Sequence, residues 1–210
     1  MSFTLYGTQG SGSAAVEAAL VHLGLDHRVV DAAPWQPGPG RDELLKVNPL
    51  GQIPTLVLPD GQVLTESAAI LIRLGMAYPA SGLLPAEPSQ CIRGLVFIAA
   101  NCYSAISVID YPERWVADPD EFTCQRIKAG TRARLHKHWE IFADAFVRET
   151  PFLDGEEPGA LDLLATVVSK WAGTRAYLLD HRPALLACVL STEQHPRYAG
   201  VLARHWPAAQ

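Results

Sequence analysis

The apolar positions divide the chain unevenly. Up to about residue 80 they come in short strand-like runs and brief helical patterns; beyond residue 88 they come in long helical ones. Phe3, Leu5 and Tyr6 predict a first strand, and Gly7 to Gly12 a loop. Ala14 to Leu23 predicts a helix that ends at Gly24, and His27 to Val30 a second strand. Ala33–Gly40 is a Pro/Gly-rich loop holding Trp35, and Arg41 to Lys46 a short helical turn. Thr55 to Leu58 and Val63–Leu64 flank the turn Pro59-Asp60-Gly61 as a hairpin, and Thr65-Glu66-Ser67 opens a helix running through Ile72. The proline-rich segment Tyr78–Pro88 is the natural linker, giving a first domain over 1–80, a linker over 81–88 and a second domain over 89–210. That second part reads as helices over Ser89–Ile109, Glu121–Arg148 and Ala160–His181, with a broken set after Pro183.

Composition narrows the class. With 210 residues, 49% of them hydrophobic, the chain can bury a sizeable core as one large or two small domains. A net charge of −5 offers neither a basic face for nucleic acid nor a polybasic membrane patch. Residues 1–20 carry no charged segment followed by an apolar one, so no signal peptide is expected, and no apolar run is expected to approach a membrane span. Cys91, Cys102, Cys124 and Cys188 are scattered without metal-ligand spacing or disulfide density, which points to a reducing cytoplasm. His136 and His138 show no ligand spacing with an acidic partner; they are read as solvated, and no metal is expected.

The most informative stretch is Asn48–Ile70, NPLGQIPTLVLPDGQVLTESAAI. It delivers a hairpin onto a helix N-terminus, whose unpaired N–H groups and positive dipole end suit a carboxylate. Pro54 sits where an extended segment can pair with the backbone of a bound peptide, and a cis bond would favour that exposure. NPLGQIPTL…LTESAAI resembles the glutathione-binding half of cytosolic glutathione transferases, departing by Ile53 for valine and Gln52 for the frequent lysine. The resemblance implies an α/β thioredoxin-like N-terminal domain followed by an all-α C-terminal domain. It is extended at Gly159–Leu164, where Asp162 stands at the N3 position of a capping box whose cap residue is Gly159.

The resemblance also implies roles. Ile53, before Pro54, would pair with the cysteinyl backbone of glutathione. Glu66 would take the γ-glutamyl ammonium and Ser67 its carboxylate, Gln52 the glycyl side, and Trp35 lies in a loop that closes over the co-substrate. Catalysis needs the thiol held as a thiolate, which a hydroxyl donor favours. In the loop before the first helix, the usual serine position falls on Gly10 and the position used by cysteine-type members on Gly12. Ser11 is therefore the first candidate and Ser13 the second, the latter also a helix N-cap candidate. This makes the chain bacterial-type and serine-like rather than cysteine-type, and a mixed-disulfide mechanism through the protein is not expected. Tyr6, on the first strand, reads as packing. In the second half Asn101 and Tyr103 interrupt an apolar helix that the resemblance places beside the sulfur, and Tyr111 either lines the pocket mouth as a substrate-binding residue or caps the helical bundle.

The implied function is transfer of glutathione to a small hydrophobic electrophile by a detoxifying homodimer. A glutathione-dependent peroxidase, dehalogenase or isomerase is the alternative, as is a non-catalytic binding or regulatory protein on the same fold.

Overall fold

Strand β1 (Phe3–Gly7) is the hinge of a sheet ordered β2-β1-β3-β4. It pairs parallel with β2 (His27–Asp31) and antiparallel with β3 (Thr55–Val57), which pairs antiparallel with β4 (Val63–Thr65). A computed structural model describes residues 2–207. The parallel β1–β2 pair requires a crossover, and α1 (Ser13–His22) supplies it, ending as Gly24 turns the chain at φ 63°. Helices α1 and α3 (Ser67–Ala77) cover one face of the sheet, while α2 (Pro39–Val47) packs Leu44 against Tyr6 and Ala32 on the other. Gly40 in α2 has no room for a side chain, since a Cβ there would lie 1.9 Å from the Asp31 carbonyl oxygen. This is a thioredoxin-like sheet-and-helix domain, and the rest is mostly helical.

The helical part comprises α4 (Ser89–Phe97), α5 (Ser104–Asp110), α6 (Glu121–Phe146), α7 (Ala160–Val168), α8 (Thr174–His181), α9 (Pro183–Gln194) and α10 (Ala199–His205). Three of the expected helices are corrected. The run from Ser89 is interrupted by a widened π turn over Ile98–Tyr103. The run from Ala160 breaks after Val168, where Ala172 and Gly173 both take positive φ. Helix α6 stops at Phe146, short of Arg148.

The expectation on membrane-length segments is also revised: Ser89–Asp110 is long and apolar enough to cross a membrane, with mean hydropathy 1.6. In the fold its residues Leu95, Ile98, Cys102, Ile106 and Ile109 are buried in the protein core. His136 and His138 are half-buried rather than solvated; His136 stacks on Tyr177 and the His138 Nδ1 lies 2.8 Å from the Asn101 carbonyl.

Helix α7, apolar on every side, is buried along its whole length and packs against α1, α3, α4 and α9, joining the two parts in one core. Its start is the capping box expected from the sequence. Asp162 accepts from the backbone N–H of Gly159 (3.1 Å), and also from Leu153 (2.7 Å) and Asp154 (3.3 Å). Burial and then the neighbouring Asp154 charge push its pKa up to about 7, against those three donors. Glycine at the cap has a spatial reason: a Cβ on Gly159 would stand 2.8 Å from Asp154 Oδ2.

Glu17 ties α10 to α1. It accepts from Arg204 at 2.6 Å and pairs with buried His205 at 2.8 Å. Burial alone would raise its pKa, but the hydrogen bonds from His205 and Arg204 outweigh that and hold it below the ordinary carboxylate value. A depressed acid pKa adds stability above the unfolded value that is lost as pH falls through the folded one. Glu17→Ala is therefore expected to lower the melting temperature at neutral pH, and the gap between variant and native protein should close on acidification. Asp162→Ala, which strands three backbone N–H groups, should cost about 3 kcal/mol or more in denaturant unfolding.

Candidate functional site

A cleft of about 740 Å³ lies where the thioredoxin-like domain meets the π turn and α5. Its first wall is built by the segment Asn48–Thr55. Buried Asn48 donates from Nδ2 to the Gln52 carbonyl (3.1 Å) and to Thr55 Oγ1 (2.9 Å), and its Oδ1 accepts the Leu50 N–H (3.1 Å). Thr55 Oγ1 in turn donates to the Gln52 carbonyl at 2.8 Å. This knot presents the Ile53–Pro54 peptide, which is cis, to the cleft. Asn48 and Thr55 are thus positioning residues that the sequence reading passed over.

The start of α3 forms the floor. The helix begins at Ser67, not at Thr65, and its cap is Glu66, whose φ of 64° is a left-handed value rare outside glycine. That turn leaves the exposed Glu66 side chain on the cleft and the first-turn N–H groups facing it without a side-chain cap. Ser67 is 5% exposed, and its hydroxyl joins no protein hydrogen bond among the described residues. Gln52, Ile53, Pro54, Glu66, Ser67 and Trp35 all line the cleft, with Trp35 57% exposed. Arg41 lines it as well, and the sequence reading missed it. Its Nε donates to the Pro34 carbonyl (3.2 Å), leaving the terminal nitrogens uncommitted among the described residues.

The loop 8–13 departs from expectation. Ser13 is fully buried and does not line the cleft. It is not the cap of α1 either: Gly12 holds that position, and Ser13 Oγ accepts the Thr8 N–H at 3.3 Å. Ser11 lines the cleft but is 7% exposed, donates to the Thr8 carbonyl at 2.7 Å and stands 2.8 Å from Ser13 Oγ. Both hydroxyls thus hold the loop's own backbone. Tyr6 is buried and donates to Glu43 at 2.8 Å, on the α2 side of the sheet, in keeping with packing.

The far wall comes from the helical part: Tyr103, Ile106, Ser107, Tyr111, Arg114 and Trp171. Tyr103 and Tyr111 reach it, and Arg114 lies over the Tyr111 ring at 3.9 Å. Asn101 does not line the cleft; its Nδ2 donates to the Phe97 carbonyl at 3.1 Å. The widened turn explains this, because carbonyls released from α-helical spacing need donors. Asn101 and Ser104 (Oγ to the Ala100 carbonyl, 2.6 Å) serve that need. Among the described residues no three His, Cys, Asp or Glu side chains are grouped to hold a metal ion.

A thioredoxin-like domain with a cis-proline and an open helix start, closed by a helical part, defines the fold class, and comparisons with known proteins agree. Residues 13–75 match the glutathione S-transferase N-terminal domain. The "Uncharacterized GST-like protein YncG" of Escherichia coli (strain K12) is 28% identical, over 96% of this chain and 97% of its own. A sphingomonad glutathione S-transferase complexed with glutathione is 26% identical, covers 98% of this chain and 100% of its own, and superposes with a TM-score of 0.76. A Sulfitobacter homologue with bound glutathione, 23% identical over 95% of this chain and 96% of its own, shares the fold at a TM-score of 0.80. Residues 13–75 thus carry the N-terminal domain of the glutathione S-transferases, and the chain is similar over nearly its whole length to bacterial GST-like proteins.

Ser13→Ala strands the Thr8 N–H inside the loop and takes one partner from the Ser11 hydroxyl. It is expected to cost about 1–3 kcal/mol in thermal or denaturant unfolding.

Proposed function

We propose that the protein is a glutathione transferase that activates the glutathione thiol for attack on a small hydrophobic electrophile. The observation that carries this reading is the meeting of two features in one cleft. The cis Ile53–Pro54 peptide and the uncapped start of α3 with Glu66 and Ser67 line the same wall. The first offers an extended backbone edge to the cysteinyl residue of glutathione. The second offers a carboxylate to the γ-glutamyl ammonium, and a hydroxyl with helix N–H groups to its carboxylate. Gln52 and Arg41 both line the cleft, and in this reading they take the glycyl end, the Arg41 guanidinium supplying the positive charge that Gln52 lacks. Trp35 borders the same cleft, and the wall of Tyr103, Ile106, Tyr111 and Trp171 gives an aromatic surface for an apolar electrophile.

No cysteine lies in the loop 8–13, and the four cysteines are free, with Cys91 and Cys102 buried and their thiols pushed well above the ordinary range by burial. A disulfide-exchange reaction through the protein therefore has no nucleophile at the site, whereas direct attack by a bound glutathione thiolate needs none. Free buried thiols also fit a reducing cytoplasm. Glycines at positions 10 and 12 and the committed Ser11 hydroxyl favour the second reading, a binding protein without turnover. A panel of electrophiles separates the two: turnover of any one supports the transferase, and glutathione binding with no turnover supports the binding protein.

We further propose a homodimer, whose contact would cover exposed apolar side chains such as Leu50 and Met76. Sedimentation at micromolar concentration should give twice 22.8 kDa, and a monomer at that concentration overturns the assembly. In calorimetry, Ser67→Ala and Glu66→Ala should each weaken glutathione by about 1–3 kcal/mol, as for loss of a hydrogen bond to a charged group. Unchanged affinity in both variants overturns the γ-glutamyl assignment.

A further inference from the structure

Gly12 is not a glycine for conformational reasons. Its φ and ψ of −61° and −15° suit any residue, so the requirement is one of space. A Cβ built on Gly12 would stand 2.0 Å from the hydroxyl oxygen of Tyr103 and 2.9 Å from its Cζ. The phenol from the helical part therefore occupies the volume that a side chain at position 12 would take, against a buried stretch of backbone and on the cleft.

Three further features distinguish this hydroxyl from those of the loop. The first is the use of its proton. Ser11 gives its proton to Thr8 within the loop, whereas no protein acceptor takes that of Tyr103 among the described residues. Second, its ring is fixed. Trp171 stacks on it with centroids 5.5 Å apart and planes 20° apart, and Trp171 packs in turn on Trp206 at 6.3 Å. Third, Tyr103 closes the π turn, a distortion that rotates the helix face and is common where a side chain has to be aimed. We propose that the Tyr103 hydroxyl, standing in place of a side chain at position 12, is the donor that holds the sulfur of bound glutathione as its thiolate. This rests on reading the cleft as the glutathione site.

The proton balance is simple. The thiol loses its proton to solvent; Tyr103 keeps its own and donates a hydrogen bond to the sulfur. Burial pushes the phenol's pKa up to about 12, with the Gly12 N–H pulling it down and the Glu66 charge raising it, so the group stays a donor throughout the neutral range. The charged groups that face it are Glu66 on α3, and Asp110 and Arg114 farther along the helical wall of the cleft.

The test is the titration of the thiol in the protein–glutathione complex, followed by thiolate ultraviolet absorbance, with binding measured separately by calorimetry. Tyr103→Phe removes the donor and keeps the ring on Trp171. It should raise the thiol's midpoint by about one to two pH units, with affinity for glutathione at mildly acidic pH kept within a few-fold. Gly12→Ala, whose methyl group displaces the phenol, should raise the midpoint in the same direction. The Phe variant decides the matter even where Gly12→Ala is too unstable to titrate. A Tyr103→Phe complex that titrates like the native one overturns the proposal, as does a native complex in which the thiol titrates like free glutathione. Absence of glutathione binding to the native protein overturns the reading of the cleft itself, and the proposal with it.

Discussion

The backbone at Gly12 comes so close to the Tyr103 hydroxyl that no side chain fits between them, and the shape of the cleft depends on that approach. It joins the loop before α1 to the end of the π turn in the helical part. The two walls of the cleft are therefore held in register by contact between the domain that offers peptide-like pairing and the part that offers aromatic surface. A larger residue at position 12 would push the phenol outward, disturb its stack on Trp171 and, through Trp206, the packing near α10. A site divided between two packed bodies gains its geometry from their docking rather than from any one loop.

The rest of the site is held by polar groups that spend their hydrogen bonds on backbone. Asn48 and Thr55 tie the segment before β3 around the cis peptide. Ser11 and Ser13 tie the loop before α1. Asp162 ties the entrance of α7, and Glu17 anchors α10 on α1. Each of these groups is buried in the core or close to it, where an unmet donor or acceptor costs about 1–3 kcal/mol, so each bond specifies one loop conformation as well as stabilising it. What is left uncommitted among the described residues is informative: the Ser67 hydroxyl, the Glu66 carboxylate, the outer nitrogens of Arg41 and the Tyr103 proton all lie on the cleft. Groups that the protein does not satisfy at a cleft are those available to a ligand.

The sequence by itself determined a good deal. Short strands with turn chemistry between them, then long apolar helices, specified an α/β part followed by a helical one, and the resemblance carried by Asn48–Ile70 implied that the first is thioredoxin-like. The run from Asn48 to Ile70 specified a hairpin that leads into a helix start. These are local properties, carried by periodicity and by turn and cap residues a few positions apart. Asp162 at the N3 position was readable for the same reason.

The placements of Ser11, Ser13, Asn101, Arg41, Trp171 and Gly12 were decided only by the tertiary structure. A serine looks alike in sequence whether its hydroxyl faces a cleft or the Thr8 carbonyl, and a glycine looks alike whether it is there for its φ or for space. The π turn that turns Asn101 away from the cleft while Tyr103 meets Gly12 lies inside a run that reads as one continuous apolar helix. Arg41 and Trp171 reach the cleft from elements far apart in the chain. Local pattern dictates which elements form. Which side chain fills a given volume depends on how those elements pack, and at Gly12 that volume was taken by a residue from the other half of the molecule.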